Sequence, residues 1–195
     1  MMPGPARGVC ADKRRPANTR RQYVELRQYP DPVLRQQTEA VDTFGQALAA
    51  LAQEMIVTMH ACSGLGLAGT QVGLAKRIAI VAPDDKPGHE AVLVNPELVQ
   101  QSGWEEADEG CLSLPGIYIR VGRFTRLRVR YQDLQGKTRE MDAEGILARA
   151  IQHELDHLDG RLLVDRMSAV QRMTHRHRLK ELEERFERRA AAKAI

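Results

Sequence analysis

One five-residue segment, His153-Glu154-Leu155-Asp156-His157, constrains the fold of this chain more than any other. In an α-helix, residues four positions apart lie on the same face, so two imidazoles at this spacing can bind one metal ion. Glu154 flanks that face and can take a proton from a metal-bound water. The segment therefore predicts a metal-binding helix over residues 145–158, with Gly160 as the glycine that follows its C-terminus.

Two histidines do not complete a metal site, because a catalytic site usually has three protein ligands and one open position. One protease class adds a third histidine further along, but Leu163 occupies that position here. Another class uses a later glutamate, and Glu181, Glu183 and Glu184 are better explained as surface partners of nearby arginines. Cys111 is the stronger candidate, because a thiolate beside two imidazoles suits zinc, iron, nickel or cobalt. The alternative is a buried apolar cysteine and a helix with unrelated histidines.

The pattern of apolar residues elsewhere indicates an α+β domain. One helix is predicted to begin after Asp42 or Thr43 and to run to about Ala61, and another begins near Ser168, which has capping-box spacing to Gln171. Short segments rich in β-branched residues predict strands between them. These candidate strands cover 77–82, 91–94, 98–102, 117–121, 127–131 and 138–141. We therefore expect mainly antiparallel β-sheets packed around a central metal-binding helix, with a C-terminal helix.

Charge is unevenly distributed along the 195 residues. Residues 1–22 carry six Lys or Arg against one acid, and residues 166–195 carry nine against four. We therefore expect a disordered basic arm at 1–22, a catalytic domain at 23–167 and a C-terminal helix at 168–195. No run of 18 apolar residues could span a membrane, and no secretory signal is evident. These features favour the cytoplasm, with organellar targeting by the Arg-rich arm as the alternative.

Three segments follow one another in a fixed order, and together they carry a family resemblance. They are Gly64-Leu65-Gly66-Leu67-Ala68-Gly69-Thr70-Gln71, Glu109-Gly110-Cys111-Leu112-Ser113 and His153-Glu154-Leu155-Asp156-His157. This arrangement resembles the peptide deformylases, which remove the N-terminal formyl group from new bacterial and organellar proteins. The resemblance spans about residues 23 to 189 and implies a metal-dependent hydrolase that releases formate from formyl-methionyl nascent polypeptides.

The resemblance implies a ligand set and an acid–base residue. Cys111, His153 and His157 would hold one divalent metal ion, with water as the fourth ligand. The usual metal of the family is Fe²⁺, and Zn²⁺, Ni²⁺ or Co²⁺ can occupy the same site. Glu154 would act first as the general base and then as the acid that protonates the leaving amine.

The resemblance also implies how the substrate is held. The side-chain amide of Gln71 and the backbone N–H of Leu112 would stabilise the oxyanion. The backbone around Leu65 and Gly66 would hold the peptide in an extended, strand-like conformation. One position departs from the family pattern, because Gly69 stands where an alanine is common. The loss of a methyl group is expected to add backbone freedom to the loop that carries Gln71.

The C-terminal helix has an implied partner. In related bacterial enzymes this helix docks on the ribosome near the peptide exit, and the basic residues of this chain would suit a ribosomal RNA surface. Neither a membrane nor DNA is an expected partner. Two other functions stay open: a small metalloendopeptidase, and a metal-stabilised ribosome-binding module without catalysis. The second would need neither Glu154 nor Gln71.

Overall fold

The computed structural model describes residues 23–84 and 86–193, so the arm predicted at 1–22 lies outside the described residues. The helices and strands of the described part are α1 Gln46–Ala61, β1 Gly66–Ala68, β2 Ile78–Val81, β3 Ala91–Ser102, β4 Glu105–Gly110, β5 Tyr118–Arg123, β6 Arg126–Gln132, β7 Thr138–Glu144, α2 Gly145–Leu158 and α3 Ala169–Lys193. Short 3-10 helices cover Pro32–Arg35, Gly69–Val72 and Leu163–Arg166.

The strands form two antiparallel sheets, which confirms the predicted α+β class. The larger sheet has the order β1-β2-β3-β6-β7, and β4 pairs with β5 in the smaller sheet. Strand β1 therefore lies at an edge of the larger sheet. The segments predicted at 91–94 and 98–102 belong to one strand, β3, whose pairing with β6 shifts register after Val94 and again after Leu98. These irregularities bend the strand without ending it.

The sequence prediction did not include β1 or β4. Strand β1 has only three residues, and its glycine-rich segment was interpreted as a turn; pairing with β2 holds it extended. Strand β4 reads Glu-Glu-Ala-Asp-Glu-Gly, a composition that strands usually avoid. It forms because all six of its residues pair with β5, from Glu105 opposite Arg123 to Gly110 opposite Tyr118. Tertiary pairing therefore overrides local propensity in both strands.

Helix α2 has the predicted bounds and packs against the larger sheet, as α1 also does. Ala148 and Ile151 pack against residues of β2, β3, β6 and β7, and Leu158 packs against small residues of β1 and β2. The predicted glycine after the helix, Gly160, has φ +71°. A side chain there would meet the backbone carbonyl of Arg35 at 2.6 Å, so both conformation and space require glycine.

Helices α1 and α3 differ in how their N-termini are capped. Helix α1 begins at Gln46, after Gly45 with φ +151°, so the N-cap predicted at Asp42 or Thr43 is wrong. Helix α3 has the predicted capping box, because the Gln171 N–H donates to Ser168 Oγ at 3.2 Å and the Ser168 N–H donates to Gln171 Oε1 at 2.9 Å. The helices of the described residues include none that is long and apolar enough to cross a membrane.

Candidate active site

The described residues contain one group of three side chains arranged to hold a metal ion: Cys111, His153 and His157. Their ligand atoms lie within 4.8 Å of one another. The helical spacing of α2 brings the two histidines together, and their ring centroids are 5.0 Å apart. Cys111 directly follows β4, and its Sγ is 3.2 Å from Nε2 of His157. One thiolate and two imidazoles form a donor set for iron, zinc, nickel or cobalt.

The electrostatics of this cluster favour the metal-binding form of the cysteine. Burial alone would favour the neutral thiol, but the imidazoles of His157 and His153 hold the pKa of Cys111 well below its ordinary value. Burial likewise opposes the charged form of His153, yet the Cys111 thiolate and the Glu109 carboxylate raise the pKa of that imidazole. The thiolate is the form that ligates a metal, and a cation can replace the proton that the cluster otherwise holds.

Glu109 orients the first histidine of the cluster. Its Oε2 contacts Nδ1 of His153 at 3.1 Å, which leaves Nε2 of that ring for a metal. Arg123 donates to both carboxylate oxygens at 2.9 Å, and Arg149 donates to Oε1 at 2.8 Å. Burial raises the pKa of Glu109, but the bonds from His153 and Arg123 outweigh burial and hold it well below its ordinary value. The carboxylate is therefore ionised and fixed.

Glu109 and its arginines belong to a buried network of charged side chains, which a second carboxylate, Asp156, extends to the end of α2. Asp156 accepts hydrogen bonds from Arg123 at 2.7 Å and from Arg166 at 2.6 Å. The sequence prediction missed these structural arginines. A signal for Arg123 exists, because it continues the alternating inward positions of Ile119 and Val121 on β5. A charged residue at an inward position indicates a buried ionic partner.

Glu154 has the environment expected of a proton carrier. It is buried, and burial raises its pKa to about 7. Its Oε2 has no hydrogen-bond partner among the described residues, and a side chain at Gly66 would meet Oε1 at 2.2 Å. The carboxylate is thus packed against the edge strand β1. A buried carboxylate oxygen without a donor fits a proton acceptor beside a metal and its water.

The structure fixes the orientation of the Gln71 amide. Its Oε1 accepts from the Ala68 N–H at 2.8 Å, so the NH₂ group must point the other way. Nε2 donates to Ser113 Oγ at 3.3 Å and lies 3.6 Å from Cys111 Sγ. The amide is buried, and its donor face is directed toward the metal ligands.

Gly69 is closely packed within the same loop. A side chain at this position would meet the Lys76 carbonyl at 2.6 Å and the Leu74 carbonyl at 3.0 Å. Its neighbours therefore leave no room for the missing methyl group, and the expected gain in backbone freedom stays a prediction. The contact that holds the Gln71 amide is its bond with the Ala68 N–H, at the residue before Gly69.

A cleft of about 640 Å³ opens above Glu154, between β1 and β4. It contains all but one of the residues that the sequence assigned to the site; His157 lies behind the others and does not line it. The site residues that line the cleft are Leu65, Gly66, Gln71, Cys111, Leu112, His153 and Glu154. The backbone at the start of β1, the Glu154 carboxylate and the Gln71 amide therefore lie at one opening.

These features define a metallohydrolase in which a cysteine directly after β4 and two histidines of α2 form the metal site. The polypeptide deformylase family profile matches residues 23–173. The chain is 44% identical over 146 residues to a peptide deformylase of Acidobacterium capsulatum, covering 74% of this chain and 86% of that protein. It is 45% identical over 142 residues to one of Dictyoglomus thermophilum, covering 73% and 91%.

Solved structures agree with the sequence comparisons. A peptide deformylase from Legionella pneumophila superposes with a TM-score of 0.78 at 37% identity, covering 87% of this chain and 98% of that one. Peptide deformylase 1B from Arabidopsis thaliana, in complex with an inhibitor, gives 0.82 at 36% identity, covering 86% and 94%. The chain belongs to the peptide deformylase family.

Proposed function

We propose that the protein removes the N-terminal formyl group from formyl-methionyl nascent polypeptides at the cleft between β1 and β4, and releases formate. Membership of the peptide deformylase family supports the activity. The observation that ties it to this cleft is the meeting of a buried carboxylate, an oriented amide and the Cys-His-His cluster at one opening.

Cys111, His153 and His157 are the proposed ligands of one divalent cation, and we propose Fe²⁺ as the resident ion. The donor set supports Fe²⁺ but would also bind Zn²⁺, Ni²⁺ or Co²⁺. When bound, such an ion acts as a Lewis acid and makes water a nucleophile at neutral pH. Elemental analysis of protein purified without oxygen measures the resident metal, and a preparation dominated by zinc would contradict iron.

Glu154 is the proposed proton carrier. Its carboxylate takes a proton from the attacking water as the new C–O bond forms, and gives a proton to the amine nitrogen as the C–N bond breaks. The products are formate and a peptide with a free amino group. A pKa of about 7 suits both halves of this cycle, because the same group must accept and donate near neutral pH.

Gln71 and Leu112 are the proposed oxyanion donors. Attack on the formyl carbon moves negative charge onto its oxygen, and fixed donors lower the energy of that state. Gln71 Nε2 suits this task because the contact between its Oε1 and the Ala68 N–H prevents the amide from turning. The Leu112 backbone directly follows Cys111, so its N–H lies beside the metal ligands.

The substrate is proposed to bind as an extended strand at the edge of the larger sheet. Strand β1 begins at the cleft, where Leu65 and Gly66 line it, so the edge of β1 that does not face β2 is available to a peptide. Apolar side chains at the cleft, including Leu65, Leu112 and Ala150, would surround the methionine side chain. The absence of a side chain at Gly66 lets the Glu154 carboxylate lie directly against the backbone at which the peptide would bind.

Formate release from formyl-Met-Ala-Ser tests this function against the metalloendopeptidase alternative. We expect the metal-loaded protein to yield formate and free Met-Ala-Ser. The matched substrate acetyl-Met-Ala-Ser should react about 10 to 100 times more slowly, because its additional methyl group must fit beside the attacked carbon. Release of formyl-Met or of Ala-Ser without formate would identify an endopeptidase and contradict deformylation.

We propose that residues 23–167 form the catalytic unit and that α3, which follows it, docks the protein on the ribosome. The exposed basic residues of this helix include Arg172, Arg176, Lys180 and Arg188. Reversing two of them, Arg176→Glu with Lys180→Glu, should reduce cosedimentation with ribosomes about tenfold or more, because phosphate contacts are lost. Arg130→Glu on the sheet is the control and should leave cosedimentation unchanged. Equal cosedimentation of all three proteins would exclude this surface.

The cytoplasm is the proposed compartment, because ribosomes and nascent polypeptides, the proposed substrates, are there. Organellar targeting by residues 1–22 is the alternative. Cell fractionation with a tag at the C-terminus decides between the two, and recovery of the protein in an organelle would overturn the cytoplasmic proposal.

A further inference from the structure

The paired strands β4 and β5 contribute two side chains to the cleft that the chemistry above does not use. Asp108 and Tyr118 both line the cleft. The strand register places Gly110 opposite Tyr118 and Asp108 opposite Arg120, so these side chains share one face. A side chain at Gly110 would meet Cε1 of the Tyr118 ring at 2.6 Å, so the ring covers Gly110 beside Asp108. A carboxylate and an aromatic ring are therefore neighbours in the cleft wall.

Asp108 carries a charge that no basic side chain of the described residues neutralises. Arg120, directly opposite, directs its guanidinium to Glu106 instead, 3.6 Å from the carboxylate and 3.5 Å from the backbone carbonyl. Arg149, the arginine of the cleft lining, donates to the Glu109 carboxylate and to two backbone carbonyls. Neither arginine forms an ion pair with Asp108, so its carboxylate is open to the contents of the cleft.

The other charged side chains of the cleft are either paired with one another or belong to the metal centre. Glu109 is paired with Arg123 and Arg149, His153 is a member of the cluster, and Glu154 is buried beside it. Outside the metal centre, the charged side chain of the cleft lining that has no ion pair among the described residues is therefore the acidic Asp108. An aromatic face beside it adds a second attraction for cations, because the face of the ring carries partial negative charge.

We propose that Asp108 and Tyr118 form a subsite that selects a lysine or arginine side chain in the polypeptide beyond its formyl-methionine. This inference rests on deformylation at this cleft. An ammonium or guanidinium group can pair with the carboxylate and lie over the ring, whereas an acidic side chain meets repulsion. Side chains of an extended peptide point alternately to opposite faces. The preference is therefore expected at one position of the substrate and not at its immediate neighbours.

The test uses formyl-Met peptides with Lys, Gln or Glu at each of the three positions after methionine. The measured quantity is the ratio of kcat/KM for the Lys and Glu peptides, at low ionic strength and at about 0.5 M salt. The variants are Asp108→Asn and Tyr118→Leu. Glu97→Gln is the matched control, because it removes an exposed carboxylate on β3 that does not line the cleft.

We expect the parent protein to prefer Lys over Glu about tenfold at one position, the combined effect of an attraction and a repulsion of a few-fold each. Asp108→Asn and high salt should each reduce this ratio about threefold or more, mainly through KM, while Glu97→Gln keeps it. A parent ratio near one at all three positions, with the Gln peptides hydrolysed, would overturn the subsite. An unchanged ratio in Asp108→Asn would overturn it as well. Absence of formate from every peptide would instead overturn the proposed deformylation.

Discussion

Replacing Glu154 with glutamine should lower kcat for formate release by about 10³- to 10⁴-fold, which places it among the largest effects expected for this protein. Glutamine keeps the shape of the side chain, so its contact with Gly66 and the packing of α2 should persist. It cannot take a proton from water or return one to the amine. Because Glu154 is not a proposed ligand, metal content should be unchanged, and KM should change little.

The same variant decides between catalysis and the non-catalytic module. Glu144→Gln is the matched control, because it makes the same chemical change at an exposed residue immediately before α2. Formate release should be measured for both variants together with their metal content. A rate for Glu154→Gln within tenfold of the parent, with the metal retained, would exclude this carboxylate as the proton carrier. Loss of metal from the variant would instead show that Glu154 helps to hold the ion.

The helical half of the active site could be predicted because its signal is local. Two imidazoles four residues apart meet on any regular helix, so the residues of α2 themselves establish the arrangement. The start of α3 was predictable for the same reason, since the Ser168–Gln171 capping box involves only neighbours along the chain. The prediction of Cys111 required a further step. Its residue type and the nearby histidine helix made it a candidate, and the family resemblance then implied that it is a metal ligand.

Strand β4 could not be predicted, because its stability comes from residues far away in the sequence. Four acidic residues in a six-residue strand would repel one another in isolation. In the folded protein, Glu109 lies against Arg123, Arg149 and His153, and Glu106 lies near Arg120. Local propensity contains none of these contacts. These long-range charge contacts therefore help to stabilise β4, the strand that positions Cys111.

Arg123 holds this network together, since it contacts two buried carboxylates, those of Glu109 and Asp156. Its side chain is 3% exposed and donates to both oxygens of Glu109 and to Asp156. Glu109 in turn orients His153. The arginine thus connects β5, the end of β4 and α2. Removing one partner of a buried ionic network leaves charge without compensation, which costs more than the network contributes as a whole.

Arg123→Met should therefore reduce the free energy of unfolding by about 3 kcal/mol, near the lower end of the range for broken buried pairs. The lower end is expected because Arg149 still contacts Glu109, and Arg166 still contacts Asp156. Metal affinity should also fall about 10- to 100-fold, because Glu109 would hold His153 less firmly. Denaturant unfolding with and without bound metal separates the two effects, since metal binding itself stabilises the folded state.

Arg130→Met provides the matched control for this experiment. It removes the same side chain from an exposed cross-strand pair with Glu140, where the arginine is 50% exposed. Solvent screens that pair, so the expected loss is below about 1 kcal/mol, and metal affinity should not change. If both variants lost the same stability, the buried network would not hold the fold at this point. If Arg123→Met were less stable but bound metal normally, Glu109 would not depend on Arg123 to orient His153, and the orienting role would pass to Arg149 alone.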